Sequence, residues 1–184
     1  ALTAALEDLM ETPVLFISGY QSLALDDQQK TNLRNYINQG GFLFVEASCG
    51  DQVFDAEFRS LMKELFPESP LQTLLPDHPI WFAQENAPEF VGRVEGIQSC
   101  CRTAVVYYPD NLSCFWSLHQ PQRSTIVQEG VKAQIEAHLK FAGNVIAYAT
   151  NRELKRKLDR PRVSFQDSDI DQPRRGTLFV PKLS

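Results

Sequence analysis

No apolar run in this 184-residue sequence approaches the 18 or so residues that span a bilayer, so it contains no membrane-helix signal. It has no GxGxxG loop, Walker motif or HExxH pair, which removes the commonest nucleotide and zinc-protease readings. Positive charge is short: 18 Lys and Arg against 23 Asp and Glu leave a net −5, which argues against general nucleic-acid binding. Cysteine is scarce, with Cys49, Cys100, Cys101 and Cys114 showing none of the close C-x₂-C pairs of a zinc site. Cys49, His78, Cys101 and Cys114 would make a Cys₃His zinc set only if the fold brought them together. A Cys101–Cys114 disulfide is the alternative in an oxidising compartment, and free, buried thiols are the plainest reading. No metal and no cofactor is called for. The opening Ala1–Glu11 has no basic, apolar leader pattern, and the start at Ala1 reads as a piece of something longer.

What is present is the rhythm of an α/β protein. Pro13–Ile17 is a short, continuous apolar run of the kind that forms a strand covered on both faces. Asp26 followed by Gln29 is a capping-box start, Leu33, Tyr36 and Ile37 make a helical stripe, and Gly40-Gly41 closes it. Phe42–Val45 is a second buried strand, completing a right-handed βαβ unit. A helix is expected from about Asp55 to Phe66, with Pro67 ending it. Residues 67–98 carry seven Pro and Gly and read as loops with short strands. Thr103–Tyr108 is a third strong strand, and a long helix spans roughly Gln128–Thr150. The expected fold is therefore a three-layer, doubly wound, mostly parallel sheet of flavodoxin-like type. One α/β domain over residues 1–160 is followed by a linker and terminal strand over 161–184.

The tail differs in character. Asn151–Arg162 holds six basic residues against two acidic ones, leaving −9 for the rest of the chain. It reads as a solvated helix end, because no aromatic residues interleave. Asp167, Asp169 and Asp171 resemble the start of a calcium loop, but Gln172 and Leu178 stand where glycine and glutamate are needed. Gly176–Pro181 looks like one more strand.

Ligands of open α/β sheets sit beyond the carboxyl ends of the strands, which is where Ser18-Gly19 and the turn Glu46–Gly50 fall. Cys49 on that turn is a candidate nucleophile on a strained elbow, although Ala47 and Asp51 replace the flanking glycines of the usual pattern. Asp77-His78 is the candidate base, against the plainer reading of a histidine satisfying loop carbonyls. Gly19, Tyr20, Cys49, Gly50, Asp77 and His78 form the expected ligand-binding cleft. His138 reads as a packed core residue and His119 as a surface one.

The ordered set Pro13–Gly19, Asn32–Tyr36, Gly40–Phe44, Cys49-Gly50, Phe54-Asp55, Phe58-Arg59, Asp77–Pro79, Tyr107–Asp110, Cys114 and Asn144–Thr150 resembles the bacterial family DUF4159. The resemblance implies a class I glutamine amidotransferase-like fold. It implies no complete triad, since none of the histidines stands in a His-x-Glu. It also implies a parent protein in the bacterial cell envelope rather than the cytoplasm. The expected function is a non-catalytic binding or interaction domain of a larger bacterial protein. Its partners would be other domains of that protein or envelope proteins, without nucleic acid and without membrane insertion by this segment. The alternative is a divergent amidotransferase-like hydrolase using Cys49 with His78.

Overall fold

A computed structural model describes residues 6–99, 102–119 and 129–150. Five strands, β1 (Val14–Gly19), β2 (Phe42–Ala47), β3 (Gln72–Thr73), β4 (Glu95–Ser99) and β5 (Arg102–Tyr108), form one sheet in the order β1-β2-β5-β4-β3. β1, β2 and β5 pair in parallel, whereas β4 is antiparallel to both β5 and β3. Only β4 thus runs against the rest, and the sheet is mostly parallel. Helices α1 (Leu6–Met10), α2 (Asp27–Asn38), α3 (Gln52–Leu65), α4 (Ser113–Leu118) and α5 (Glu129–Ala149) complete the architecture.

The helices cover both faces of the sheet. Because side chains alternate along a strand, Leu43, Val45 and Ala47 of β2 face one way and Phe42, Phe44 and Glu46 the other. The first set packs with Leu33, Tyr36 and Ile37 of α2 and Phe54, Phe58 and Met62 of α3. Phe42 and Phe44 meet Phe141 and Val145 of α5 and the loop residues Ile80, Trp81 and Phe90. This double burial is why Phe42–Val45 of β2 reads as an unbroken apolar run. At Gly41 a Cβ would stand 2.4 Å from the Tyr36 ring, so the helix packs onto the entry to β2 only if that residue is glycine.

The expected capping box at α2 forms, with Gln29 N–H donating to Asp26 and Asp26 N–H donating to Gln29. α3 begins earlier than the apolar spacing suggests, because Asp51 accepts from Phe54 N–H at 2.8 Å and caps the helix at Gln52. Residues 67–98 hold two short strands and two single 3₁₀ turns, Pro79–Phe82 and Pro88–Phe90. Asn144, fully buried on α5, fastens this region. Its Oδ1 accepts from Gln84 N–H and Glu85 N–H, and its Nδ2 donates to the Trp81 and Glu85 carbonyls. The basic segment, the Asp167–Asp171 run and the terminal strand expected at Gly176–Pro181 lie outside the described residues, as do Cys100 and Cys101.

Candidate functional site

β1 and β2 end side by side, with Gly19 opposite Ala47. Ser18-Gly19-Tyr20 and Cys49-Gly50 therefore share one end of the sheet. Gly19 is compelled by packing: a Cβ there would lie 1.8 Å from the Phe54 ring of α3. Tyr20 stands out from the surface. Ser48–Gly50 makes a single 3₁₀ turn between β2 and α3 in which Cys49 adopts φ 58°, ψ 19°, a left-handed conformation rare for a residue with a side chain. Its thiol is free and exposed. Strand, tight turn, exposed cysteine and helix follow in the order of a nucleophile elbow, and the turn forms without the flanking glycines.

Directly before this turn, Glu46 is fully buried. One carboxylate oxygen accepts from Ser18 Oγ–H at 2.6 Å, and the other from the backbone N–H groups of Leu112 (2.5 Å) and Ser113 (2.8 Å). The carboxylate thus caps the start of α4 and ties it to β1 and β2. The sequence contains the signal for this residue, a single acid at the end of an otherwise apolar buried strand, although it does not figure among the expected site residues.

His78 lies elsewhere. Its Nδ1 accepts from Ile80 N–H at 3.2 Å, which makes Nε2 the protonated nitrogen that donates to Thr103 Oγ1 at 2.8 Å. Thr103 is near the beginning of β5, and β5 runs parallel to β2, so His78 and Cys49 occupy opposite ends of the strands. Cys49 with His78 as nucleophile and base is therefore not assembled, and neither is a metal set containing both. The expected cleft divides. Gly19, Tyr20, Cys49 and Gly50 remain together, whereas Asp77 and His78 line a separate cavity of about 400 Å³ with Gln98 and Leu74. Burial lowers the His78 pKa and Asp77 opposes that shift. With both ring nitrogens engaged, His78 acts as a structural link between loop and strand.

Beside the Cys49 turn, at the carboxyl end of β5, is a cavity of about 470 Å³. Its walls include Phe90, Tyr108, Phe115 and His138, and its charged groups are Glu89, Arg93 and Asp110. Arg93 Nη2 donates to Asp110 Oδ2 at 2.6 Å, and the guanidinium lies 5.1 Å from the centre of the Tyr108 ring. Asp110 Oδ1 accepts from Asn111 N–H and lies 3.7 Å from the point where a Cβ on Gly50 would stand. One aspartate thereby joins the cavity to the cysteine turn. His138 stacks on Phe115 at 4.0 Å and meets Phe90 edge-on at 5.0 Å. Its Nδ1 lies 2.6 Å from the Gln134 carbonyl and so carries the proton. Burial lowers the His138 pKa, favouring the neutral ring, and the Nδ1–H to Gln134 leaves Nε2 as its acceptor. The Tyr108 hydroxyl is pushed up to about 12 by burial. His138 is indeed a packed residue, but it is also a cavity wall. Residues 89–93, 108–115 and 133–138 meet only in three dimensions, and no local pattern marks them as a site.

A model of a domain of unknown function, DUF4159, matches residues 1–150. The chain belongs to the DUF4159 family. Among curated proteins none matches it. In this DUF4159 domain the Phe54-Asp55 and Phe58-Arg59 pairs fix α3 to the sheet. Arg59 reaches Glu95 through two hydrogen bonds of 2.7 and 2.8 Å and donates from Nε to Asp55, which also accepts from the Tyr107 hydroxyl at 2.7 Å. The hydrogen bonds to Glu95 lead in raising the Arg59 pKa, while burial leads in raising that of Tyr107. Cys114 is a free, exposed thiol on α4. Among the described residues of the domain, no helix is long and apolar enough to cross a membrane.

Proposed function

We propose that this DUF4159 domain is a non-catalytic ligand-binding module of a larger bacterial cell-envelope protein, built on an amidotransferase-like α/β scaffold. Its working surface is the strand-end region made by Gly19-Tyr20, Cys49-Gly50 and the adjoining Arg93–Asp110 cavity. The observation that carries the reading is the cavity itself. It has the size of a small-molecule site, aromatic walls and opposed charges at one end. The nearby acid supports binding rather than hydrolysis, since Glu46 is engaged by three donors. Among the described residues no imidazole is hydrogen-bonded to the Cys49 thiol: His78 is at the far end of the strands and His138 stacks in the cavity wall. Other domains of the same parent protein, or envelope proteins, would receive the binding signal.

A backbone-observed NMR screen of a general fragment set tests this reading. Hits should cluster on Phe90, Arg93, Ala133 and Ala137, unchanged in a Cys49→Ala variant. Hits spread over the surface, or none at all, would overturn it. A second reading, Cys49 as the nucleophile of a divergent hydrolase, draws on the left-handed, exposed geometry of that residue. It predicts alkylation by iodoacetamide near neutral pH many times faster than that of a simple cysteine peptide. The binding reading predicts no such acceleration.

A further inference from the structure

The shape and charge of the cavity define what it can hold. At its mouth Arg93 and Asp110 are each about half exposed and joined by one 2.6 Å ion pair. That bond uses one of the five guanidinium N–H donors, the backbone N–H of Arg93 goes to the Phe90 carbonyl, and the Tyr108 hydroxyl is the other group beside the guanidinium. The fork left over matches a carboxylate. Asp110 and Glu89 supply carboxylate oxygens on the same lining, and the His138 tautomer leaves Nε2 as the ring's acceptor. A ligand of a single charge would bring a like charge to this mouth. A small zwitterion presents its two ends to the two halves of the ion pair.

The interior is different in kind. Phe90 and Tyr108 are almost completely buried, Phe115 stacks on His138, and the α5 residues facing them are Ala133 and Ala137. Alanines one helical turn apart leave open the volume that larger side chains would fill. Such walls favour an apolar or aromatic group inserted behind a charged head. A phosphate-bearing ligand is disfavoured, because a single arginine is flanked by two carboxylates. A quaternary ammonium is disfavoured as well, because Arg93 already lies over the Tyr108 ring.

We propose that the cavity lined by Phe90, Arg93, Tyr108, Asp110, Phe115 and Ala137 binds a free α-amino acid with an apolar side chain. The carboxylate of the ligand sits on Arg93, its ammonium faces Asp110 and Glu89, and its side chain enters between the aromatic rings. This proposal rests on the reading of the domain as a binding module and adds the class of ligand.

Four probes separate the possibilities: L-phenylalanine, its near-isosteres 3-phenylpropanoate and 2-phenylethylamine, and glycine, titrated into the full chain by calorimetry and NMR. L-Phenylalanine should bind saturably and shift the amides of Phe90, Arg93 and Ala137. Each of the other three lacks the carboxylate, the ammonium or the side chain and should bind at least about tenfold more weakly. Arg93→Met should weaken L-phenylalanine by about tenfold and leave 2-phenylethylamine unaffected. Ala137→Leu, which fills the cavity on a helix that tolerates leucine, should remove binding at an unchanged melting temperature. Equal binding by either singly charged probe, or no saturable binding of L-phenylalanine, overturns the assignment. If the fragment screen still places hits in the cavity, only the ligand class has failed. If that screen is also empty, the binding reading fails with it.

Discussion

At the scale of single residues, the two ends of the sheet are told apart by how each polar group is engaged. Cys49 holds a left-handed backbone conformation that costs a residue with a Cβ about 1 kcal/mol relative to glycine. Cys49→Gly should therefore leave stability unchanged or raise it by up to about 1 kcal/mol, part of the gain being offset by the extra freedom of an unfolded glycine. Cys49→Val should lose about 1–2 kcal/mol, because a branched side chain is still less suited to that region. Urea denaturation of the pair checks this, and equal loss in both variants would mean that the turn relaxes. His78 and His138 make a second prediction. Burial lowers both pKa values below the usual 6.5, so the unfolded chain binds more protons than the fold. The stabilisation is complete above pH 6.5 and is lost as the pH falls through the folded values. The melting temperature should be lower at pH 5.5 than at 7.5, above the range where carboxylates titrate. Replacing His138 with Phe should make that decline shallower. A flat melting temperature across this window would contradict the assignment.

Elements are held in place here by a few buried polar groups whose partners lie far along the chain. Glu46 joins β1, β2 and α4, and its removal leaves two backbone N–H groups and a hydroxyl without their acceptor. Glu46→Ala should cost about 2 kcal/mol or more, at roughly 1–3 kcal/mol for each backbone N–H left unsatisfied, the exposed Ser18 hydroxyl turning to water. Glu46→Gln should cost less, since its amide retains one acceptor oxygen. Chemical denaturation of both variants measures the difference, and equal values would show that the charge and not the acceptor geometry matters. These long-range links also explain what the sequence does and does not reveal. α2 is legible because its capping box, stripe and closing glycines are all local. β2 is legible because burial on both faces makes its first four residues, Phe42–Val45, uniformly apolar. The direction of β4 is not legible, since EGIQS carries no mark of the strand it will join. Cys49-Gly50 can be read as a strand-end turn for the same reason as β2. Asp77-His78 cannot be assigned to either end of the sheet, because its place depends on Thr103 and on the loop anchored by Asn144.

For the whole molecule, the question is which part of the chain carries the fold. Among the described residues, both hydrophobic clusters lie between Leu6 and Ala149, one on each face of the sheet. The strand pairings among the described residues, the Arg59 clamp and the Asn144 anchor also fall inside that span. The DUF4159 match ends at residue 150, and the compact unit that contains it runs to Leu154. A chain ending at Leu154 should therefore unfold in one cooperative transition, with a melting temperature within a few degrees of the full chain. Its denaturant m-value should fall only to the extent that fewer residues are exposed on unfolding. The comparison bears directly on Gly176–Pro181. If that segment completes the sheet, truncation exposes an edge and removes apolar contacts, and the melting temperature drops by well over the 4 °C or so that corresponds to about 1 kcal/mol in a domain of this size. Retained stability would mean that the segment is no part of this sheet. The L-phenylalanine titration repeated on the truncated chain then extends the same argument to the site. The cavity is built from residues 89–138, so its affinity should survive the cut unchanged.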